Sequence, residues 1–343
     1  MPTRPRARAL LACLACLVLL ALPARAAGAD APQPARVLIV HSYDPGYIWT
    51  QQVNQGLSEA LRGLEAELEH FYMDAKRRPD PERLRQSGLE ALARIEATRP
   101  RLVIAVDDAA QEFLVAPHLK GRPAPQVIFC GINSAPTRYG YPASNVSGVR
   151  ERWHFRDGFR LLKETVPQVK SAAFLADDSD TGRSVAEELR AELRAGPLAV
   201  RLTTVETVAT YQQWQRRVQA LCGGAGALAV GVYHSLTDEA TGRVVPADQV
   251  AAWTAKACPK PSLGFYDATR EHGQLCGVLE SGQEQGWLAG TMAREVLTRG
   301  VSAGSLPIRV NRRGVLLLNL KTAQRLKVSV PYHLIESAGV LVR

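Results

Sequence analysis

Short apolar runs alternate with amphipathic stretches along most of the chain. Val37-Leu38-Ile39-Val40 is an uninterrupted apolar run of strand length. After it, Val53, Leu57, Leu61, Leu64 and Leu68 recur at the three-to-four-residue spacing of a helix with one apolar face. Leu68 to Met73 reads as the next strand. Pro79 and Pro81 open a second helix that turns Leu84, Leu92 and Ile95 inward. Leu102 to Val106 is a third strand, with Asp107-Asp108 placed to cap the helix after it, and Val127 to Cys130 is a fourth. Strands that read as continuous apolar runs are buried on both faces, and their alternation with helices predicts a doubly wound parallel α/β sheet.

The rhythm restarts after residue 148. Phe155 to Val166 is helical, Ser171 to Ala176 a strand, and Val185, Leu189 and Leu193 mark another helix. Val200 to Val205 is a strand and Tyr211 to Leu221 a helix. Further strands follow at Ala227 to Val232, Ser262 to Tyr266 and Leu275 to Leu279. Two Rossmann-like lobes of similar size are therefore expected, joined near Asn145 to Glu151. A tail completes the chain: a helix over Glu284 to Arg299, strand-like segments at Ile308 to Val310 and Val315 to Leu318, and a short helix over Thr322 to Leu326.

The first residues change how the composition is read. Arg4, Arg6 and Arg8 precede an apolar run from Ala9 to Leu22, and Pro23 and Ala24-Arg25-Ala26 follow. This is the layout of a signal peptide cleaved near Ala26, and it predicts export to the periplasm. The run falls short of the roughly 20 apolar residues a spanning helix needs. Removing residues 1–26 takes four arginines away and lowers the formal charge from +9 to +5. No aromatic residues interleave with the one basic cluster, Lys76-Arg77-Arg78, which reads as a solvated turn rather than a nucleic-acid surface. Cys130, Cys222, Cys258 and Cys276 remain in a compartment that permits disulfides. Cys258 precedes one predicted strand and Cys276 lies in the next, so that pair is the preferred bridge, with Cys222 as competitor. Cys130 reads as a buried thiol.

Ligands of open α/β sheets sit at the carboxyl ends of the strands. The richest strand end is His41-Ser42-Tyr43-Asp44-Pro45-Gly46-Tyr47-Ile48-Trp49, where three aromatics could wall a small ring or pack their own loop. Asp107-Asp108 offers one carboxylate for capping and one for a ligand. Asp177, Asp178 and Asp180 lack the spacing of a calcium loop. His41 and His234 make an incomplete metal pair. Hydrolase, zinc-protease and phosphate-loop motifs do not occur in the sequence.

At this point a resemblance emerges. The loop from His41 to Trp49 resembles the opening of the ABC transporter substrate-binding protein family of tryptophan-binding type, in the branch also used as histidine-kinase sensor domains. Tyr72 to Arg77, Val103 to Asp108, Val127 to Asn133, Asn145 to Val149, Asn319 to Ala323 and Val328 to Pro331 continue it in order. The resemblance implies a type I periplasmic binding protein: lobe 1 from residues 36–147 plus 283–304, lobe 2 from 148–282 plus 305–343, and a ligand between them. Hinges are expected near Asn145 to Glu151, Gly282 and Ser305. Ser42, Tyr43, Tyr47 and Trp49 would form one wall, with Asp108 and Asn133 orienting the ligand. Asp177, Tyr233, Tyr266 and Glu280 would close from the other lobe, and Arg150 or Arg152 would answer a ligand carboxylate. The expected protein is a monomer without chemistry, metal or cofactor. It would carry an amino acid or ring-containing solute to a membrane permease. The rival roles are a sensory partner of a receptor or histidine kinase, and a secreted α/β hydrolase in which Ser42, His234 and Asp108 would meet.

Overall fold

The computed structural model of the chain describes residues 34–343. The signal peptide expected over residues 1–26 lies outside the described residues. The first half runs Ala35–His41 (β1), Ile48–Leu61 (α1), Ala66–Tyr72 (β2), Pro81–Thr98 (α2), Leu102–Val106 (β3) and Asp107–Ala110 (α3). α3 loosens into a π-wound stretch, Gln111–Leu119, before Gln126–Ile132 (β4) and Val146–Arg150 (β5). The second half runs Phe155–Thr165 (α4), Ser171–Asp177 (β6), Asp180–Ala195 (α5), Arg201–Val208 (β7), Tyr211–Gly224 (α6), Ala227–Val230 (β8), Ala247–Ala257 (α7), Ser262–Gly264 (β9) and Cys276–Glu280 (β10). Gly282–Arg299 (α8), Arg309–Val310 (β11), Gly314–Asn319 (β12), Leu320–Arg325 (α9), Tyr332–Ser337 (α10) and Val340–Val342 (β13) follow.

These strands form two sheets. The first is ordered β11-β5-β4-β3-β1-β2 and the second β13-β12-β10-β9-β8-β6-β7. The pairings are parallel except that between β10 and β12. Period-two alternation decides which core each side chain joins. In β1 and β3, Val37, Ile39, Leu102, Ile104 and Val106 meet the face of α1 and α8. Leu38, Val40, Val103 and Ala105 meet α2 and the π-wound stretch. In β6, Phe174 faces the aromatic core of α4, while Leu175 faces Trp214 of α6 and Val250 of α7.

The chain passes between the sheets three times: after β5, between β10 and α8, and between β11 and β12. β5 pairs along its length with β4, and β11 pairs with β5, so both belong to the first sheet. Residues 148–150 and 309–310 thus pair within the first sheet. Asn311 fastens two of these crossovers together. Its Oδ1 accepts from Arg152 N at 2.7 Å, and its Nδ2 donates to Arg152 O at 3.0 Å. Glu284, on the first turn of α8, accepts from Arg312 N and Arg313 N at 2.8–3.2 Å.

Two expectations are corrected here. The disulfide joins Cys222 to Cys258, and Cys276 is a free, buried thiol like Cys130. Cys258 lies in the core on the α6 and α7 face of the second sheet, whereas Cys276 points into the α4 core on the opposite face. The sheet itself separates the pair expected from their strand positions. The helix after β1 ends at Leu61, so Leu64 and Leu68 are not on its face; Leu68 is in β2 and 37% exposed.

Candidate functional site

Parallel strands bring their carboxyl ends to one edge of each sheet, and the chain crossings bring those edges toward each other. Ser42 follows β1 directly and is fully buried. Its hydroxyl donates to Val106 O at 2.7 Å and accepts from Ala110 N at 3.0 Å. It thus caps α3 from outside that helix, a task expected of the aspartates, and its oxygen is spent on backbone rather than turned to a ligand. The hydrolase arrangement has no support here, because Asp108 is likewise committed elsewhere.

Asp107 and Asp108 exchange the roles that their order suggests. Asp108 accepts from Asn133 N at 3.0 Å, Ser134 N at 3.3 Å and Tyr139 OH at 2.7 Å, so it ties down the loop after β4. Asn133 is held through its backbone. Asp107 is buried and takes φ +68, a left-handed conformation that costs a non-glycine residue on the order of 1 kcal/mol. Its Oδ1 accepts from Trp49 Nε1 at 3.0 Å. Burial and the neighbouring Asp108 push its pKa well up, against the opposing charge of Lys76 and the Trp49 hydrogen bond. Trp49 is itself only 6% exposed, so it positions Asp107 and does not wall an open cleft. Gly131 completes this floor. It has φ +71, and a Cβ there would come 2.8 Å from Asp107 Oδ1. Its N–H donates to Gln285 of α8 at 3.0 Å.

Tyr43 and Tyr47 form the wall above. Their rings meet edge to face at 5.3 Å between centroids. The Lys76 ammonium lies 4.8 Å from one centroid and 4.5 Å from the other, a double cation–π contact. The turn after β2 delivers it: Asp74 sits at φ +62 and accepts from Arg77 Nε at 2.7 Å, folding the basic segment over. Lys76 is exposed in a turn, as its sequence predicts, and its ammonium lies over both tyrosine rings.

The second half offers a matching aromatic group. Tyr266 stacks on Trp153 of the first crossover (5.6 Å, 15°) and meets His234 edge to face (5.6 Å, 70°). His234 stacks on Tyr233 (5.4 Å, 11°). His234 keeps solvent access but is surrounded deeply enough that burial, Lys76 and His272 lower its pKa to about 4, against Asp177. Burial, Tyr233, Asp177 and Glu280 drive the Tyr266 phenol well up. Glu151 and Glu280 are both buried; the charge of Glu151 helps push up Tyr43 and Cys130, and that of Glu280 helps push up Tyr266.

The remaining expected residues sit one layer back. Asp177 is buried; it accepts from Ser179 N and Oγ and from Ser235 N, which joins the loops after β6 and β8. Tyr233 is buried, its hydroxyl 2.6 Å from His272 Nδ1 and 3.3 Å from the donor Gln274 Nε2. Arg150 reaches to 3.8 Å from Glu188 of α5, and Arg152 pairs with Glu188 and Glu192. Sequence reasoning passed over Trp153 and Glu151, and weighed Lys76 only as part of a turn and Asp107 only as one of an undivided pair. Only the position of Asp107 at a strand end gave a signal for any of them.

With this geometry in place, comparison with known proteins is informative. Residues 50–342 match the family model described as ABC transporter substrate binding protein. The chain belongs to that family. No curated protein matches it in sequence. Among solved structures it is similar to the ABC domain in complex with L-Trp from Streptococcus pneumonia, at 19% identity and TM-score 0.62 over 90% of this chain and 100% of the other. It is also similar to a ligand-free, open substrate binding protein with adhesive properties from Clostridium difficile, at 15% identity and TM-score 0.68 over 90% and 99%. A conserved domain protein from Vibrio cholerae gives 17% identity and TM-score 0.61 over 90% and 99%. The fold is that of a type I periplasmic binding protein. Among the described residues of this substrate-binding protein, no helix is long and apolar enough to cross a membrane.

Proposed function

We propose that this chain captures a small ring-bearing solute between its two sheet edges and presents it to a membrane permease from the periplasm. The observation that carries this reading is an aromatic group at the strand ends of each sheet, Tyr43 and Tyr47 under Lys76 in the first and Tyr266 against His234 in the second. Aromatic faces take up a ring, and an ammonium beside buried carboxylates suits a solute carrying both signs of charge, such as an amino acid. Ser42, Trp49, Asp108, Asp177 and Tyr233 act behind this surface as supports. Closure bends the crossovers at residues 151–154, at Ser281 and at residues 311–313. Export from the cytoplasm agrees with the Cys222–Cys258 disulfide.

A thermal-shift screen of amino acids, nucleobases and sugars tests the reading, because a ligand that binds only the folded form raises its midpoint. L-tryptophan belongs in the panel. A solute that raises the midpoint of the parent chain but not of Tyr43→Ala or Tyr266→Ala supports the cleft. If the whole panel leaves the parent midpoint unmoved, or both variants respond like the parent, the reading fails.

A further inference from the structure

A second concavity lies where α8 runs beside the last chain crossing. Its volume is about 920 Å³, within the range of sites that hold small organic molecules. The floor is apolar. Trp287 of α8 is 46% exposed and Val310 of β11 is 37% exposed, with Leu288 and Val315 beside them. Exposed indole surface is unusual on a helix that otherwise buries itself against α1.

The polar groups of this concavity divide into two sets. The carboxylates are occupied: Glu284 accepts from the backbone N–H groups of Arg312 and Arg313, and Glu59 accepts from Gln283 Nε2 at 2.9 Å. The guanidinium groups of Arg312 and Arg313 have no hydrogen bond or ion pair to any described residue, although their backbones are pinned. Pinning aims two planar, permanently charged donors from one short segment beside an apolar floor. That is the recognition chemistry of an anion with an apolar body.

We propose that the groove between α8 and the last crossing binds a small amphipathic acid, its apolar body on Trp287 and its carboxylate or sulfonate on Arg312 and Arg313. The site is distinct from the cleft and does not rest on the solute-capture reading. Because Glu59 and α8 belong to the first half while Gly314 and Val315 begin the second, the occupant touches both halves where they hinge.

The probe is 8-anilinonaphthalene-1-sulfonate, titrated into the full chain and read by dye fluorescence and by energy transfer from tryptophan. Saturable binding is expected, displaced by octanoate but not by octanol. The Arg312→Ala/Arg313→Ala variant should weaken it at least tenfold, with an unchanged circular dichroism spectrum and melting point. Trp287→Phe should remove most of the energy transfer. The proposal is overturned if binding is not saturable, if octanol displaces the dye as well as octanoate does, or if the double variant binds like the parent. It is also overturned if Tyr43→Ala abolishes dye binding, since the dye would then occupy the cleft.

Discussion

Asp107 concentrates several unfavourable features in one residue: a left-handed backbone, near-complete burial and an adjacent carboxylate. Such a residue persists when its surroundings enforce it, and Trp49 and Gly131 do so here. Trp49→Phe keeps an aromatic ring, though a smaller one, and leaves Asp107 Oδ1 without its donor, so a loss of about 1–3 kcal/mol is expected in urea unfolding. Asp107→Asn keeps an acceptor for the indole and removes the charge. Its stability should match or exceed the parent, while affinity for the solute found by screening should fall about tenfold or more in calorimetry. His41 supplies a pH test of folding. Burial and His70 lower its pKa to about 3 against a hydrogen bond to Asn54, whereas the unfolded chain holds the ordinary 6.5. Between these values the unfolded chain binds the extra proton, so stability is full above about pH 6.5 and declines toward pH 3. The slope should be up to about 1.4 kcal/mol per pH unit from this group, and His41→Gln should remove that part. At this scale the sequence was only partly informative. The strand-end positions of Tyr43, Tyr47 and Tyr266 are legible because the apolar strand runs before them are clear. Which of two adjacent aspartates faces inward, and whether Lys76 folds back, depend on φ angles that neither composition nor periodicity encodes.

Among the elements, α1 and α8 show how a pair of distant segments can fix the site. Gly282, Gly286 and Gly290 recur every four residues along α8 and face α1. A Cβ on Gly286 would lie 2.0 Å from Val53 O, and one on Gly56 would lie 2.0 Å from Gln283 O. The backbones are therefore in contact, which brings Gln285 to the N–H of Gly131 beneath the cleft. Alanine gains about 1 kcal/mol of helix propensity over glycine, yet forced overpacking costs about 1–3 kcal/mol or more. Gly286→Ala and Gly56→Ala should each lower the urea midpoint. Gly223→Ala, near the end of α6 with nothing within 4 Å of the added carbon, should leave it unchanged or raise it. Most strands and helices were readable because their apolar periodicity is strong. α7 was not, since its sequence ADQVAAWTAKA carries many alanines and few large apolar residues. β5 reads as a hinge because a short strand beside a crossover looks like a linker until its partner is known, whereas β11 falls within the strand-like segment expected at Ile308 to Val310.

For the molecule as a whole, the Cys222–Cys258 link ties the ends of α6 and α7 across a separation of 36 residues. Chain-entropy reasoning values such a loop at about 3–4 kcal/mol. Reduction, or Cys222→Ser with Cys258→Ser, should lower unfolding free energy by about 2–4 kcal/mol in a denaturant titration while the cleft remains able to bind. The two remaining thiols have a separate use. Cys130 sits in the first sheet and Cys276 in the second, each without solvent access. Each sulfur can meet a labelling reagent only when its own sheet opens. Mass spectrometry of the peptides around the two residues, after timed exposure to N-ethylmaleimide, would clock the openings of the two halves side by side. Equal rates would mark one cooperative unit; unequal rates would mark the half that yields first.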